Sequence, residues 1–92
     1  MRSTLDIYKL IFKKEALEEW LQCEAFVQRQ FKHQLKARLS MPKRGADRLD
    51  ERTQSYKITL TQSQYRLVYQ VRDGAQEIAI IAITHRAFHH LW

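Results

Sequence analysis

The strongest constraint on this chain is an alternation of period two that runs from residue 56 to residue 72 with one interruption. Tyr56, Ile58 and Leu60 alternate with Lys57, Thr59 and Thr61. After Thr61-Gln62-Ser63-Gln64, Tyr65, Leu67, Tyr69 and Val71 alternate with Arg66, Val68, Gln70 and Arg72. Successive side chains of a strand point to opposite faces, so each half of this pattern buries one face and wets the other. The four polar residues between the halves read as a turn. Lys57, Thr59 and Arg66 share the parity opposite to Tyr56, Ile58, Leu60 and Tyr65, which puts them together on the wet face.

The flanking sequence supplies the rest of an α+β domain. Tyr8, Leu10 and Phe12 alternate as a strand, and Lys13-Lys14-Glu15 then changes the period. Ala16, Leu17, Trp20 and Leu21 fall on one helical stripe. A second helix starts near Cys23 or Glu24. Its Val27, Phe31, Leu35 and Leu39 repeat every four residues, and Pro42 ends it. Residues 42–55 read as a polar loop with Leu49 as its large apolar anchor. Asp73-Gly74 signals another hairpin through a glycine at positive φ. Residues 78–83 form a nearly unbroken apolar run, expected to be a central strand. Phe12, Trp20, Phe31, Tyr65 and Tyr69 are assigned to the core. The predicted architecture is one domain over residues 1–92, in the order β-α-α-β-β-β. Two N-terminal helices pack on one face of a mostly antiparallel four-stranded sheet.

Composition narrows the function. Cys23 is the lone cysteine, so neither an intramolecular disulfide nor a thiolate zinc cluster forms, and a buried structural thiol is expected. His85, His89 and His90 lack a carboxylate or cysteine at ligand spacing, so no metal is expected. At 92 residues there is little room for a cofactor domain. No signal-type segment or apolar run of membrane length occurs, which predicts a cytoplasmic protein with no membrane partner. The net charge of +6 is concentrated in residues 28–52, with eight basic groups against three acidic ones. Such a middle suits a polyanion, because Lys and Arg replace counterions condensed on phosphates. A solvated helix face accounts for the charge equally well.

The segment Tyr56-Lys57-Ile58-Thr59-Leu60, a short turn, then Tyr65-Arg66-Leu67-Val68-Tyr69-Gln70-Val71 closely resembles the signature hairpin of RelE-type toxins. Phe12, Ala16, Leu17, Glu19 and Trp20 resemble that family's first strand and helix, and Gln30-Phe31-Lys32 with Leu35 its second helix. Pro42 and Leu49 fall on its loop positions, and Ile81-Ala82-Ile83 leads to His85-Arg86, similar to its terminal Lys-Arg. The likeness covers residues 7–92.

The resemblance implies a RelE/ParE-like fold and an endoribonuclease toxin, an mRNA interferase that enters the ribosomal A site and is silenced by a cognate antitoxin. The implied reaction is attack by a ribose 2′-hydroxyl on the adjacent phosphate, leaving a cyclic phosphate and a free 5′-hydroxyl. It needs a proton acceptor, cations for the pentacovalent phosphate and a proton donor for the leaving oxygen. By that likeness Lys57 matches an active-site lysine, Arg66 the strand arginine on the phosphate, and Arg86 the terminal arginine acting as general acid or phosphate clamp. Thr59 departs from the pattern by replacing a lysine general base, and Trp92 by replacing a tyrosine that stacks on a base. Tryptophan still stacks, but its indole N–H only donates. His90 or His89 is the expected substitute base. Lys32, Lys36, Arg38, Lys43, Arg44, Arg48 and Arg52 are expected to meet ribosomal RNA through phosphates, and messenger RNA to meet the catalytic face. A sister reading is a ParE-like gyrase inhibitor, and a third is a catalytically weakened ribosome- or antitoxin-binding protein.

Overall fold

A computed structural model describes residues 7–86. Strand β1 (Lys9–Phe12) leads into helices α1 (Lys14–Gln22) and α2 (Ala25–Arg38). Strands β2 (Arg48–Asp50), β3 (Ser55–Leu60), β4 (Tyr65–Arg72) and β5 (Glu77–His85) follow. The sheet order is β1-β5-β4-β3-β2. Only β1 and β5 pair in parallel, and the other neighbours are antiparallel.

The α+β class and the helix pair agree with the expectation, whereas among the described residues the sheet has five strands rather than four. The additional strand, β2, lies inside the segment expected to be a loop. It pairs Arg48 with Tyr56 and Asp50 with Ser55 across a register shift. Three residues reading Arg-Leu-Asp carry no hydrophobic period, so β2 is created by the edge of β3 and not by its own pattern. Leu49 does not anchor the segment, because its side chain is exposed.

Both helices cover one face of the sheet. Val27, Phe31 and Leu35 of α2 and Ala16 of α1 are buried against Tyr56, Ile58, Leu67, Tyr69, Val71, Ile78, Ile80 and Ile83. The stripe expected on α1 divides: Ala16 and Trp20 turn inward, while Leu17 and Leu21 are exposed. Cys23 is buried and its Sγ donates to the Glu19 carbonyl oxygen, with burial pushing the thiol pKa up. Tyr56 and Tyr69 stack with ring centroids 5.6 Å apart. The Tyr69 hydroxyl donates to the Pro42 carbonyl at 2.7 Å, which ties the segment after α2 to the central strand. Burial pushes this phenol up to about 12.

Turns 51–54, 61–64 and 73–76 connect the last four strands. Each ends in a glutamine at positive φ: Gln54 at 56°, Gln64 at 61° and Gln76 at 51°. The left-handed residue of the last turn is therefore Gln76, and Gly74 is not at positive φ. A four-residue turn moves that requirement to its final position. The Gln54, Gln64 and Gln76 carbonyls then accept from the backbone N–H groups of Val71, Arg86 and Lys9.

The last turn is clasped by side chains. Asp73 accepts from the Tyr8 hydroxyl at 2.8 Å and pairs with the Lys43 ammonium. These two hydrogen bonds, Lys43 first, hold the Asp73 carboxyl below its ordinary value of 3.8. A carboxyl with a lower pKa folded than unfolded stabilises the fold above its unfolded value, and that contribution disappears as acid protonates it. Substituting Asp73→Asn should therefore remove part of the fall in Tm between about pH 5 and pH 2. An acid limb of unchanged steepness would show that the clasp does not couple to folding.

Candidate functional site

Both helices lie on one side of the sheet, and among the described residues no helix covers the opposite, open face. Antiparallel register puts Thr59 of β3 and Thr84 of β5 directly across from Arg66 of β4, one on each side. Lys57 stands opposite Val68, one diagonal step from Arg66. Arg86 follows Thr84 by two residues, and its N–H donates to the Gln64 carbonyl at 2.9 Å, so the ladder reaches it. Lys57 and Arg66 thus share one face of the sheet, and the Arg86 backbone continues the ladder at the same end. Diagonal neighbours are about 7–8 Å apart. Lys57 and Arg86 lie two strands and four residues apart, which is about 16 Å between Cα atoms. The cations form a row with Arg66 in the middle, longer than a single point of convergence.

At the other end of this face Arg72 pairs with Glu77 at 3.8 Å. Lys9 of β1 stands beside the same Glu77, so that end carries charge of both signs, whereas the described charges around Arg66 are all cationic. The described floor between the two ends is made of small or uncharged side chains: Val68, Gln70, Ala79, Ala82 and Thr84.

The face that the end of β5 presents is set by a defect in that strand. Strict alternation from Ile78 and Ile80 would send residues 82, 84 and 86 toward the helices. The pairing instead shifts between Val68↔Ala82 and Tyr69↔Ile80, leaving Ile81 as an extra residue. A bulge of this kind reverses the parity of everything after it. Ile83 then turns into the core, while Thr84 turns onto the face that carries Arg66, and Arg86 follows two residues later, just past the end of β5 at His85. His85 turns the other way, its ring against Tyr65 with centroids 4.7 Å apart. It therefore lies across the sheet from Arg66. No histidine or carboxylate occurs among the described residues at the cationic end of the open face. His89, His90 and Trp92 lie outside the described residues.

The basic residues expected to meet RNA do not form one surface. Arg38 is buried at 5% exposure, in line with Val27, Phe31 and Leu35 on the inner side of α2. Its guanidinium donates to Asp47 at 3.1 Å and to Gln34, tying the helix to a 3-10 turn (Gly45–Asp47). A charged residue eleven positions after Val27 returns to the buried stripe, which charge counting alone does not reveal. Lys43 is engaged in the Asp73 clasp. Lys32, Lys36, Arg44, Arg48 and Arg52 are exposed. Lys32 and Lys36 rim an apolar cleft of about 230 Å³ lined by Leu10, Phe12, Trp20, Leu35 and Leu39.

Helices on one side of the sheet and arginines on the other define a class, and known proteins supply it. Residues 10–89 match the sequence model of the family described as the ParE toxin of type II toxin-antitoxin system, parDE. The chain is 38% identical over 79 residues to the mRNA interferase toxin RelE of Escherichia coli K12, covering 86% of this chain and 83% of that one. The intact E. coli RelBE toxin-antitoxin complex superposes with a TM-score of 0.81 at 37% identity, covering 85% of this chain and 95% of that chain. The isolated E. coli RelE toxin gives 0.81 at 32% identity over 92% and 99%. The RelBE2 complex of Mycobacterium tuberculosis, at 19% identity and a TM-score of 0.69, shares the fold. These findings make the protein a toxin of a type II toxin-antitoxin system. Within that class the chain belongs to the RelE family.

The buried ion pair yields a prediction that separates structure from RNA contact. Arg38→Ala leaves Asp47 without its cation and should lower stability by about 2 kcal/mol, or roughly 10 °C in Tm. The slope of log ribosome affinity against log salt should stay unchanged. A flattened slope with an unaltered Tm would return Arg38 to the RNA-facing set.

Proposed function

We propose that the protein is an mRNA interferase that cuts translated messenger RNA in the ribosomal A site by 2′-hydroxyl attack on the adjacent phosphate. The observation that carries this reading is the row Lys57–Arg66–Arg86 on the open face, centred on an arginine flanked by two threonines. An extended strand of RNA can lie along such a row with its phosphates on successive cations. Arg66 stabilises the charge that builds on the equatorial oxygens, Lys57 orients the neighbouring nucleotide, and Arg86 clamps the phosphate or protonates the leaving oxygen. Fixed donors aimed at developing charge are commonly the largest single contribution to such catalysis.

Thr59 is a hydroxyl donor and acceptor of near-neutral character, so it does not take the proton at neutral pH. That role is assigned to His90 or His89, because histidine is the commonest general acid–base residue. Trp92 is assigned to stacking on a base. The ribosome completes the site by holding the messenger in line, which is why the activity is expected to depend on it.

The partner implied is an antitoxin, as in the solved RelBE complex. An acidic segment with apolar side chains suits the cleft between β1 and the helices, because Lys32 and Lys36 stand at its rim. The same lysines are exposed to ribosomal RNA in the free toxin, so an antitoxin seated there excludes the ribosome.

Two experiments test the reading. Purified chain incubated with programmed ribosomes should cut messenger within the A-site codon, and Arg66→Ala should slow cleavage by about 10²–10³-fold. An Arg66→Ala variant as fast as wild type would remove the row from catalysis. Messenger left intact, with a DNA-damage response on induction, would favour the gyrase-inhibitor reading that the ParE description raises. Separately, reversing the charge of Lys32, Lys36 and Arg44 should weaken ribosome binding most at low salt and flatten its salt dependence. An unaltered salt slope would assign these side chains to solvent.

A further inference from the structure

Strand β5 is flanked on both sides only along its first part. Its partner β1 ends at Phe12, opposite Ile80, and the Lys13 N–H donates to the Ile80 carbonyl at 3.0 Å as the chain turns into α1. Beyond that point the outer edge of β5 faces a helix. The bulged residue Ile81 comes next, followed by the segment carrying Thr84 and Arg86. A strand that has just been bulged and has lost one neighbour is free to slip, and a slip of one residue exchanges its faces.

One side chain takes the place of the missing strand. The Ile83 N–H donates to the Glu19 carboxylate oxygen Oε1 at 2.7 Å, across 64 positions of sequence. Glu19 projects from α1, whose Ala16 is buried in the same core as Ile83 and whose Trp20 packs against it. A charge-assisted hydrogen bond to a backbone N–H is among the stronger ones available, and here it holds the register two residues past the bulge. The opposite side of the same segment is held by the Arg86 N–H on the Gln64 carbonyl.

We infer that Glu19 is a positioning residue for the cationic face: by accepting from Ile83 it fixes the bulged end of β5 in the register that presents Arg86 beside Arg66. The inference rests on the reading that this face handles messenger RNA, and it assigns Glu19 no contact with the substrate. Glutamine retains an oxygen acceptor of similar reach, whereas alanine has none and methionine keeps the length with only a weak sulfur acceptor.

The test uses the full chain in two measurements. Amide hydrogen exchange of the free protein should show the Ile83 and Arg86 amides exchanging at least about tenfold faster in Glu19→Ala, with Glu19→Gln close to wild type. Cleavage on programmed ribosomes should fall about tenfold in kcat with little change in KM, again restored by glutamine. In an Arg86→Ala background, adding Glu19→Ala should cost less than about twofold, because the group it positions is already gone. Should Glu19→Ala not fold, Glu19→Met is read in its place. Unchanged exchange at Ile83 and Arg86, or cleavage losses that multiply in the double variant, would overturn the inference. A wild-type chain that leaves messenger intact would instead overturn the nuclease reading, while the exchange measurement still decides whether Glu19 holds β5.

Discussion

The extra residue at Ile81 is the constraint on which the site depends. Without it, the parity of β5 would continue from Ile80, Arg86 would point toward the helices, and Ile83 would point into solvent. With it, one strand serves two masters in sequence: its first half closes the core through Ile78 and Ile80, and its end feeds the open face through Thr84, with Arg86 just beyond. Arg66 needs no such device, because β3 and β4 pair without a shift from Ser55↔Gln70 to Leu60↔Tyr65. The site therefore joins a regular hairpin to a deliberately irregular strand.

Segregation of the two faces makes this possible. Tyr56, Tyr69, Phe31, Ile78, Ile80 and Ile83 fill the space under the helices, so the large apolar side chains of the core are kept to that side. Its side chains are then free to be chosen for charge. Glu77, between Arg72 and Lys9, puts a carboxylate at one end of that face, while Lys57 and Arg66 make the other end purely cationic among the described residues.

Much of this was legible in the sequence, for physical reasons that also explain what was not. The hairpin over residues 56–71 announces itself because one face is buried and the other wet, so the alternation is clean and the parity of Lys57 and Arg66 follows from it. The period-four repeat of Val27, Phe31 and Leu35 reports a helix packed along its length. By contrast, the apolar run over 78–83 sets isoleucines on the helix side and Ala79 and Ala82 on the other, so it shows no polar parity, and the bulge within it leaves no trace beyond the spacing of Ile78, Ile80, Ile81 and Ile83. Strand β2 is too short and too polar to show a period. Arg38 was placed with the RNA-facing charges because composition records a charge and not the Asp47 that neutralises it. The Glu19 contact is invisible in the sequence, since its partner is a backbone N–H 64 positions along the chain.

The account's central claim is that the face of the sheet opposite the helices is the one that receives RNA. The most direct measurement is a cryo-electron microscopy reconstruction of the toxin bound to a programmed ribosome whose messenger carries a 2′-O-methyl group at the cleavage position. The account predicts messenger density along the open face, with a phosphate within hydrogen-bonding distance of the Arg66 guanidinium. Density that ran over the helices, with Arg66 turned away from the messenger, would contradict it.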